Sequence, residues 1–355
     1  MRDIVQELKR LLDAHPDWAE MLEHSIAEAK AEAVRQKAWG AELLPGDLPG
    51  YFKYLHRAVH WIPCENTRRE VFYHLCMFYW LLDQPDGKEL QKNEEFVVWM
   101  RHFADDWGSF LDTPKSAAHL DTFLNDPDYA MWQYQIPPGG FRSFNEFFRR
   151  LMKPGLRPVA GATCDRVITS PADSTFQQKF RITPGSEVVV KFTHKYKIAD
   201  LLEGSPYRDA FAGGLFAHAF LGPNDFHRFA APVRGTVLEC RAIQQAVYLG
   251  VDIKDGEWQA TDDTDYQFQQ TRGLIIQDSP VGLVATLPIG MAQVSSVNMT
   301  AVEGSYLEKG GEFGFFQFGG SDIIMLFQGG KGIEYTAAPN VHYNCGMAVA
   351  EVVKR

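Results

Sequence analysis

The spacing of apolar residues changes once along this chain, near residue 140, and that change limits the fold more than any other feature. Before it, apolar side chains recur every three or four residues. Val5, Leu8, Leu11 and Leu12 form one stripe, and Trp18, Met21, Leu22 and Ile26 another, the pattern of helices with one buried face. An aromatic-rich helical segment, Asn66 to Leu82, stops at Asp83-Gln84-Pro85-Asp86-Gly87, and a further helix is expected over Glu94 to Leu111. Thr113-Pro114 sets a threonine cap before a first-turn proline, so another helix is expected there. After the linker Gln135 to Gly140 comes one last expected helix, Ser143 to Met152, opened by a capping box of Ser143 with Glu146. From Val167 onward the apolar runs are short and bounded by Gly and Pro. Val188 to Phe192, Gly214 to Leu221, Gly273 to Ile276, Gly282 to Leu287 and Ile323 to Phe327 read as strands, with Ile198 to Leu202 a short helix. The expected architecture is α+β: a helical domain over residues 1–137, then a β-rich domain over 138–355.

Charge and cysteine usage narrow the function class. The chain has 355 residues and a formal net charge of −10. Such a field repels nucleic acid and anionic membrane surfaces, so neither is an expected partner. No apolar run approaches the roughly 20 residues of a spanning helix, and Met1-Arg2-Asp3-Ile4 does not begin a secretory signal, which leads to an expected cytoplasmic protein. Five scattered cysteines show no CxxC spacing, so neither a disulfide framework nor a zinc site is expected. His56 and His60 lack the glutamate of HExxH, and Thr261-Asp262-Asp263-Thr264-Asp265 lacks the glycine and last glutamate of a calcium loop. The first pair reads as structural, the second as a solvated acidic loop, and no metal is expected. The aromatic residues Trp61, Phe72, Tyr73, Phe78, Tyr79 and Trp80 read as core, with a cover over the active site left open for some of them.

Four segments of the second half carry chemistry only when taken together: Ser170-Pro171-Ala172-Asp173, Asn224-Asp225-Phe226-His227-Arg228-Phe229, Ile289-Gly290-Met291 and Phe318-Gly319-Gly320-Ser321. Alone, a Gly-Gly-Ser is a turn and a single His is a satisfied structural group. In order, after Phe144-Asn145-Glu146-Phe147-Phe148-Arg149-Arg150, Lys153-Pro154-Gly155 and Arg157-Pro158, they resemble the phosphatidylserine decarboxylase family over about residues 140–355. The helical first region, Ile289 to Met291 and Phe316 to Ser321 resemble a soluble subgroup of that family. It includes fungal enzymes that decarboxylate free aromatic amino acids such as L-tryptophan.

The resemblance implies a β-rich decarboxylase domain that makes its own cofactor. Ser321 would attack the carbonyl of Gly320, convert the peptide to an ester and split the chain into residues 1–320 and 321–355. A pyruvoyl group would remain at position 321, with no need for PLP or metal. Glycines before the serine suit the step, because a backbone without Cβ can be approached closely. Asp173 would orient the base of this reaction. In turnover the pyruvoyl group acts as the electron sink that PLP supplies elsewhere, and His227 would return a proton to the substrate carbon. His218, Met291 and Asp322 are candidate pocket residues, although a core role for His218 and a surface role for Asp322 stay open. Ser174 replaces the family's glycine in what reads as a turn.

One departure bears directly on processing. The family's second histidine, the base expected to assist self-cleavage, is here Ala230. Losing a general base costs about 10²–10⁴-fold, so the precursor should persist. Either this is a natural non-processing relative or a His→Ala variant that traps the precursor; the intact flanking residues favour the second. The expected function is decarboxylation of a free aromatic amino acid. Formation of phosphatidylethanolamine from phosphatidylserine and a catalytically inactive binding protein are the alternatives. Expected partners are the small-molecule substrate and the chain's own two pieces, with assembly of several copies left open.

Overall fold

A computed structural model describes residues 2–67, 69–190, 194–261, 268–290, 297–318 and 321–353. The first region is a helical assembly: Ile4–Ala14, Pro16–Arg35, Leu48–Ala58, Glu70–Trp80, Pro85–Leu90 and Glu94–Leu111. The Asp3 and Asp47 carboxylates accept the otherwise unpaired N–H groups of Gln6 (3.0 Å) and Gly50 (2.7 Å), and Pro16 occupies a first turn where its missing N–H costs nothing. The apolar stripes face inward, burying Leu8, Leu22, Ile26, Leu55, Phe96, Trp99 and Phe103 in one core.

Two helix expectations need correction. Thr113-Pro114 opens only a 3-10 turn over Pro114–Ala117, because the Thr113 hydroxyl donates back to the Phe110 carbonyl (2.7 Å) instead of capping forward. The helix after Ser143 has its expected cap, Ser143 Oγ accepting from Glu146 N at 3.1 Å, but it spans only Phe144–Phe148. Leu151 and Met152 turn back on the preceding segment: the Gln135 N–H donates to the Leu151 carbonyl (2.8 Å) and Tyr134 bridges Met152.

The β-rich part is built on an eight-stranded antiparallel sheet. Its order is Tyr306–Leu307, Gly235–Ile243, Arg272–Ser279, Gly282–Gly290, Ser321–Phe327, Leu215–Leu221, Ser174–Arg181 and His342–Tyr343. The strand Ser321–Phe327 lies inside it, paired with 282–290 on one side and 215–221 on the other, and every residue is buried. Alternation then divides its side chains. Asp322, Ile324 and Leu326 take one face, where Ile324 and Leu326 pack with Phe216, Leu274 and Leu287. Ser321, Ile323, Met325 and Phe327 take the other. There Ile323 belongs to the same apolar core as Ala172, Leu221, Phe229, Phe316 and Phe318. A three-stranded sheet, Val297–Met299, Glu312–Phe316 and Arg228–Ala230, supplies part of that second layer.

The helical and β-rich regions share a continuous core and are tied by polar contacts. The hairpin Val251–Lys254/Glu257–Ala260 reaches the helices: Trp258 Nε1 donates to the Trp39 carbonyl (2.7 Å), the Val251 N–H to Asp83 Oδ2 (2.9 Å), and the Tyr73 hydroxyl to the Glu257 carboxylate. No described helix is long and apolar enough to cross a membrane.

Candidate active site

Ser321 begins its strand opposite Gly290 and Leu221. It is wholly buried, and its Oγ has no hydrogen-bond partner among the described residues. A buried hydroxyl without a partner costs on the order of 1–3 kcal/mol, so a local reason for keeping it is required. Gly319, Gly320 and Met291 lie outside the described residues, as do Asp262 to Asp265 of the acidic loop.

Asp173 is buried in the turn entering the 174–181 strand. That strand pairs with 215–221 at Thr175–Phe220, so Asp173 stands about 10 Å, two strand spacings, across the sheet from Ser321. Arg157 grips its carboxylate with Nε at 2.8 Å from Oδ1 and Nη2 on Oδ2, and the Cys345 N–H donates to Oδ1 at 2.8 Å. Residue 230 adjoins the same turn, its backbone N–H donating to the Pro171 carbonyl at 2.8 Å. Asp173 is thus committed to Arg157, and Ala230 offers no group to link it to Ser321. Ser174 belongs to the strand, its hydroxyl donating to the Ala172 carbonyl at 3.4 Å.

His227 is buried against Phe148, ring centroids 3.9 Å apart. Its Nδ1 lies 2.9 Å from the Asp225 carbonyl, which can only accept, so Nδ1 carries the proton. Burial, assisted by the Arg150 charge, pulls its pKa down to about 3. At neutral pH Nε2 is therefore a bare lone pair, without a partner among the described residues. The ring presents an acceptor, and it must take up a proton before returning one.

Asp322 turns the other way. It is 0% exposed, which overturns a surface role, and its Oδ2 lies 3.1 Å from His218 Nε2. Both line a cavity of about 560 Å³ between the β-rich sheet and the helical region. Glu65, Arg69, Phe72, Asp126, Asp128 and Tyr129 form the helical wall; Phe220 and Asn224 stand beside the His218–Asp322 pair. Burial pushes the Glu65 carboxyl up to about 7. Among the described lining residues there are thus four carboxyl groups and one guanidinium, in a volume typical of small-ligand sites. Of the aromatic residues read as core from the sequence, Phe72 lines this cavity, Trp61 and Phe78 line a second one of about 440 Å³ within the helices, and Tyr73, Tyr79 and Trp80 are buried.

A family model for phosphatidylserine decarboxylase matches residues 144–351, from the Phe144–Phe148 helix to the last strand. The chain belongs to the phosphatidylserine decarboxylase family. It is similar to phosphatidylserine decarboxylase proenzyme 2 of Oryza sativa subsp. japonica, 31% identical over 231 residues, covering 64% of this chain and 36% of that protein. Phosphatidylserine decarboxylase proenzyme 3 of Schizosaccharomyces pombe is 32% identical over 222 residues, 62% of this chain and 22% of its own length. The chain therefore spans only about a third and a fifth of these two relatives. Decarboxylase iboD of Amanita muscaria is 26% identical over 287 residues, 71% of this chain and 82% of that protein.

Several residues of the site carry no sequence signal of their own. His342 is one: its Nε2 lies 2.8 Å from Asp225 Oδ1, and that hydrogen bond raises its pKa. Arg157 stood in a quoted motif without a role. Glu65 could be suspected only as an acid between Cys64 and Asn66 at the mouth of a helix. Among the described residues, no group of three or more His, Cys, Asp or Glu side chains could hold a metal ion.

Proposed function

We propose that this chain is the precursor of a pyruvoyl-dependent decarboxylase of a free aromatic amino acid, L-tryptophan first, kept unsplit by Ala230. One observation carries the reading: neighbouring residues 321 and 322 face opposite ways, a buried hydroxyl without a partner among the described residues on the side of the Ala172, Phe229 and Phe316 core, and a carboxylate on the side of the cavity. The head of one strand can then serve processing on one face and substrate on the other.

In processing, a base at position 230 takes the Ser321 Oγ proton, and Oγ adds to the Gly320 carbonyl carbon. The C–N bond breaks, the nitrogen takes a proton, and an ester joins residues 320 and 321. Loss of the Ser321 Cα proton expels the Gly320 carboxylate, leaving dehydroalanine. Water then converts this to the ketone with release of ammonia. The buried Ser321 Oγ fits this origin of the group, and Asp173 beside position 230 fits the orienting role.

Once formed, the pyruvoyl group supplies an electron-accepting carbonyl at the head of the strand. The chain's own residues do the rest. Asp322, oriented by His218, attracts the substrate ammonium; Phe72, Tyr129 and Phe220 offer faces for an aromatic ring. Asp322 itself is shielded from water, which would strengthen its attraction for an ammonium. His227 fits the proton carrier: its ring packs on Phe148, which packs on Phe318, and its carbonyl accepts from the Phe316 N–H.

The names of the relatives favour a second reading, phosphatidylserine decarboxylation. The cavity weighs against it, because among the described residues that line it a phosphodiester would meet Asp126, Asp128 and Asp322, a Glu65 close to its neutral form, and one guanidinium, Arg69. The test restores the base. Ala230→His should split into 1–320 and 321–355 by intact mass and release amine from aromatic amino acids. Conversion of phosphatidylserine to phosphatidylethanolamine in vesicles, with no amine formed from aromatic amino acids, would establish the second reading. A chain that stays whole and acts on neither would leave the inactive binding protein.

A further inference from the structure

The three residues before Gly319 are held by groups from distant parts of the chain. The Phe318 N–H donates to Asn145 Oδ1 at 3.1 Å. The Asn145 amide nitrogen donates in turn to the Gly108 carbonyl (3.1 Å) and to Asp112 Oδ1 (3.2 Å). Gln317 Nε2 donates to the same Asp112 oxygen at 3.2 Å, and the Phe316 N–H to the His227 carbonyl at 2.9 Å. The Phe318 ring is boxed edge-on by Trp107, Phe144 and Phe148, with centroids 5.2, 4.9 and 5.1 Å away.

Asn145 is almost wholly buried, and its amide uses one acceptor and two donors. That set matches one N–H and two acceptors, and no other side chain of this size offers it. None of the three bonds serves the helix on which Asn145 sits. They join the 94–111 helix to the backbone three residues before Ser321.

We infer that Asn145 is a positioning residue for self-cleavage, with Asp112 as the group that orients it. The inference rests on the self-processing reading above. Attack of Oγ on the preceding carbonyl is intramolecular, and its rate depends on how closely both partners are held. The nucleophile is fixed by a strand paired on both sides. On the carbonyl side the described anchors hold Phe316 to Phe318, where Asn145 is the polar one and the aromatic box the apolar one. The helical region thereby acts on processing as well as on substrate.

The experiment follows the first-order rate of splitting by intact mass, in the Ala230→His background. Asn145→Ala should slow splitting about 10- to 100-fold, the range for a misplacement near 1 Å. Asn145→Asp sets a carboxylate against Asp112 and should be as slow at neutral pH. The pair Asn145→Asp/Asp112→Asn restores the bond between the two side chains but not the one to the Gly108 carbonyl, and should split severalfold faster than Asn145→Asp while staying slower than Ala230→His. Recovery by exchange is a readout that general loosening would not give, and it decides the matter even if Asn145→Ala fails to fold. Splitting of Asn145→Ala at the Ala230→His rate, or a double variant no faster than Asn145→Asp, overturns the inference alone. If Ala230→His itself stays whole, the self-processing reading falls and takes the inference with it.

Discussion

His227 gives the site a measurable acid sensitivity. In the unfolded chain its imidazole has an ordinary pKa near 6.5, whereas burial and the Arg150 charge hold it at about 3 in the fold. The folded state therefore resists a proton that the unfolded state accepts. Stability from this group is fully present above about pH 6.5 and is lost as pH falls between about 6.5 and 3. Between pH 7.5 and 5.0 the unfolded state gains close to one proton over the folded one, which amounts to about 2 kcal/mol. His227→Gln removes that linkage. Urea unfolding of the Ala230 chain and of its His227→Gln variant at both pH values isolates the term, since His342 and other titrating groups cancel in the comparison. The variant should lose about 2 kcal/mol less than its parent on acidification. Equal losses, or a His227 imidazole resonance (the one missing from His227→Gln) titrating near pH 6.5 in the folded protein, would refute the buried neutral tautomer and with it the acceptor at Nε2.

Three further outcomes follow from the same geometry. In an Ala230→His background, Asp322→Asn should leave splitting within a few-fold but lower kcat/KM for amine release about 10- to 100-fold, the worth of a hydrogen bond to a charged group; stalled splitting would mean that Asp322 serves the Ser321 face instead. Arg157→Met strands the buried Asp173 carboxylate with one remaining donor, Cys345 N–H, and should cost about 3–5 kcal/mol in a urea titration; a change under 1 kcal/mol would deny the clamp. Gly214→Ala would set a methyl group onto the Phe327 carbonyl at the far end of the candidate processing strand, so the variant should melt several degrees lower or fail to fold; an unchanged thermal midpoint would contradict the packing there.

The division into helices and strands was legible because each half repeats its period over many residues, and periodicity needs no knowledge of partners. Ile323 to Phe327 could be read as a buried strand for the same reason. The helix after Ser143 shows where that information ends. Its start is local, a hydroxyl and an N–H three residues apart. Its end depends on Tyr134 and Gln135 drawing Leu151 and Met152 into a bridge, and nothing in the apolar pattern of 144–152 records that competitor. Asp322 was legible only as a pocket candidate with a surface alternative. A carboxylate after a serine reads as surface until His218, 104 positions earlier, is known to share its face through the pairing of 218 with 324.

The candidate site makes the same point about chemistry. Ser321, His227 and Asp173 entered through ordered motifs, all from the β-rich part. The cavity wall made by Glu65, Arg69, Asp126 and Tyr129 entered through none, because those residues belong to loops and helix ends whose positions only packing determines. Yet that wall bears on the choice between a free amino acid and a phospholipid. Under the proposed reading, Ser321 and Asp322, adjacent in sequence but opposed in space, would let processing and substrate recognition draw on different neighbours, so that a substitution such as Ala230 would block the first and leave the second intact. The buried Asp322–His218 pair fits a trapped precursor of a competent site, and it is where an inactive scaffold would be free to diverge.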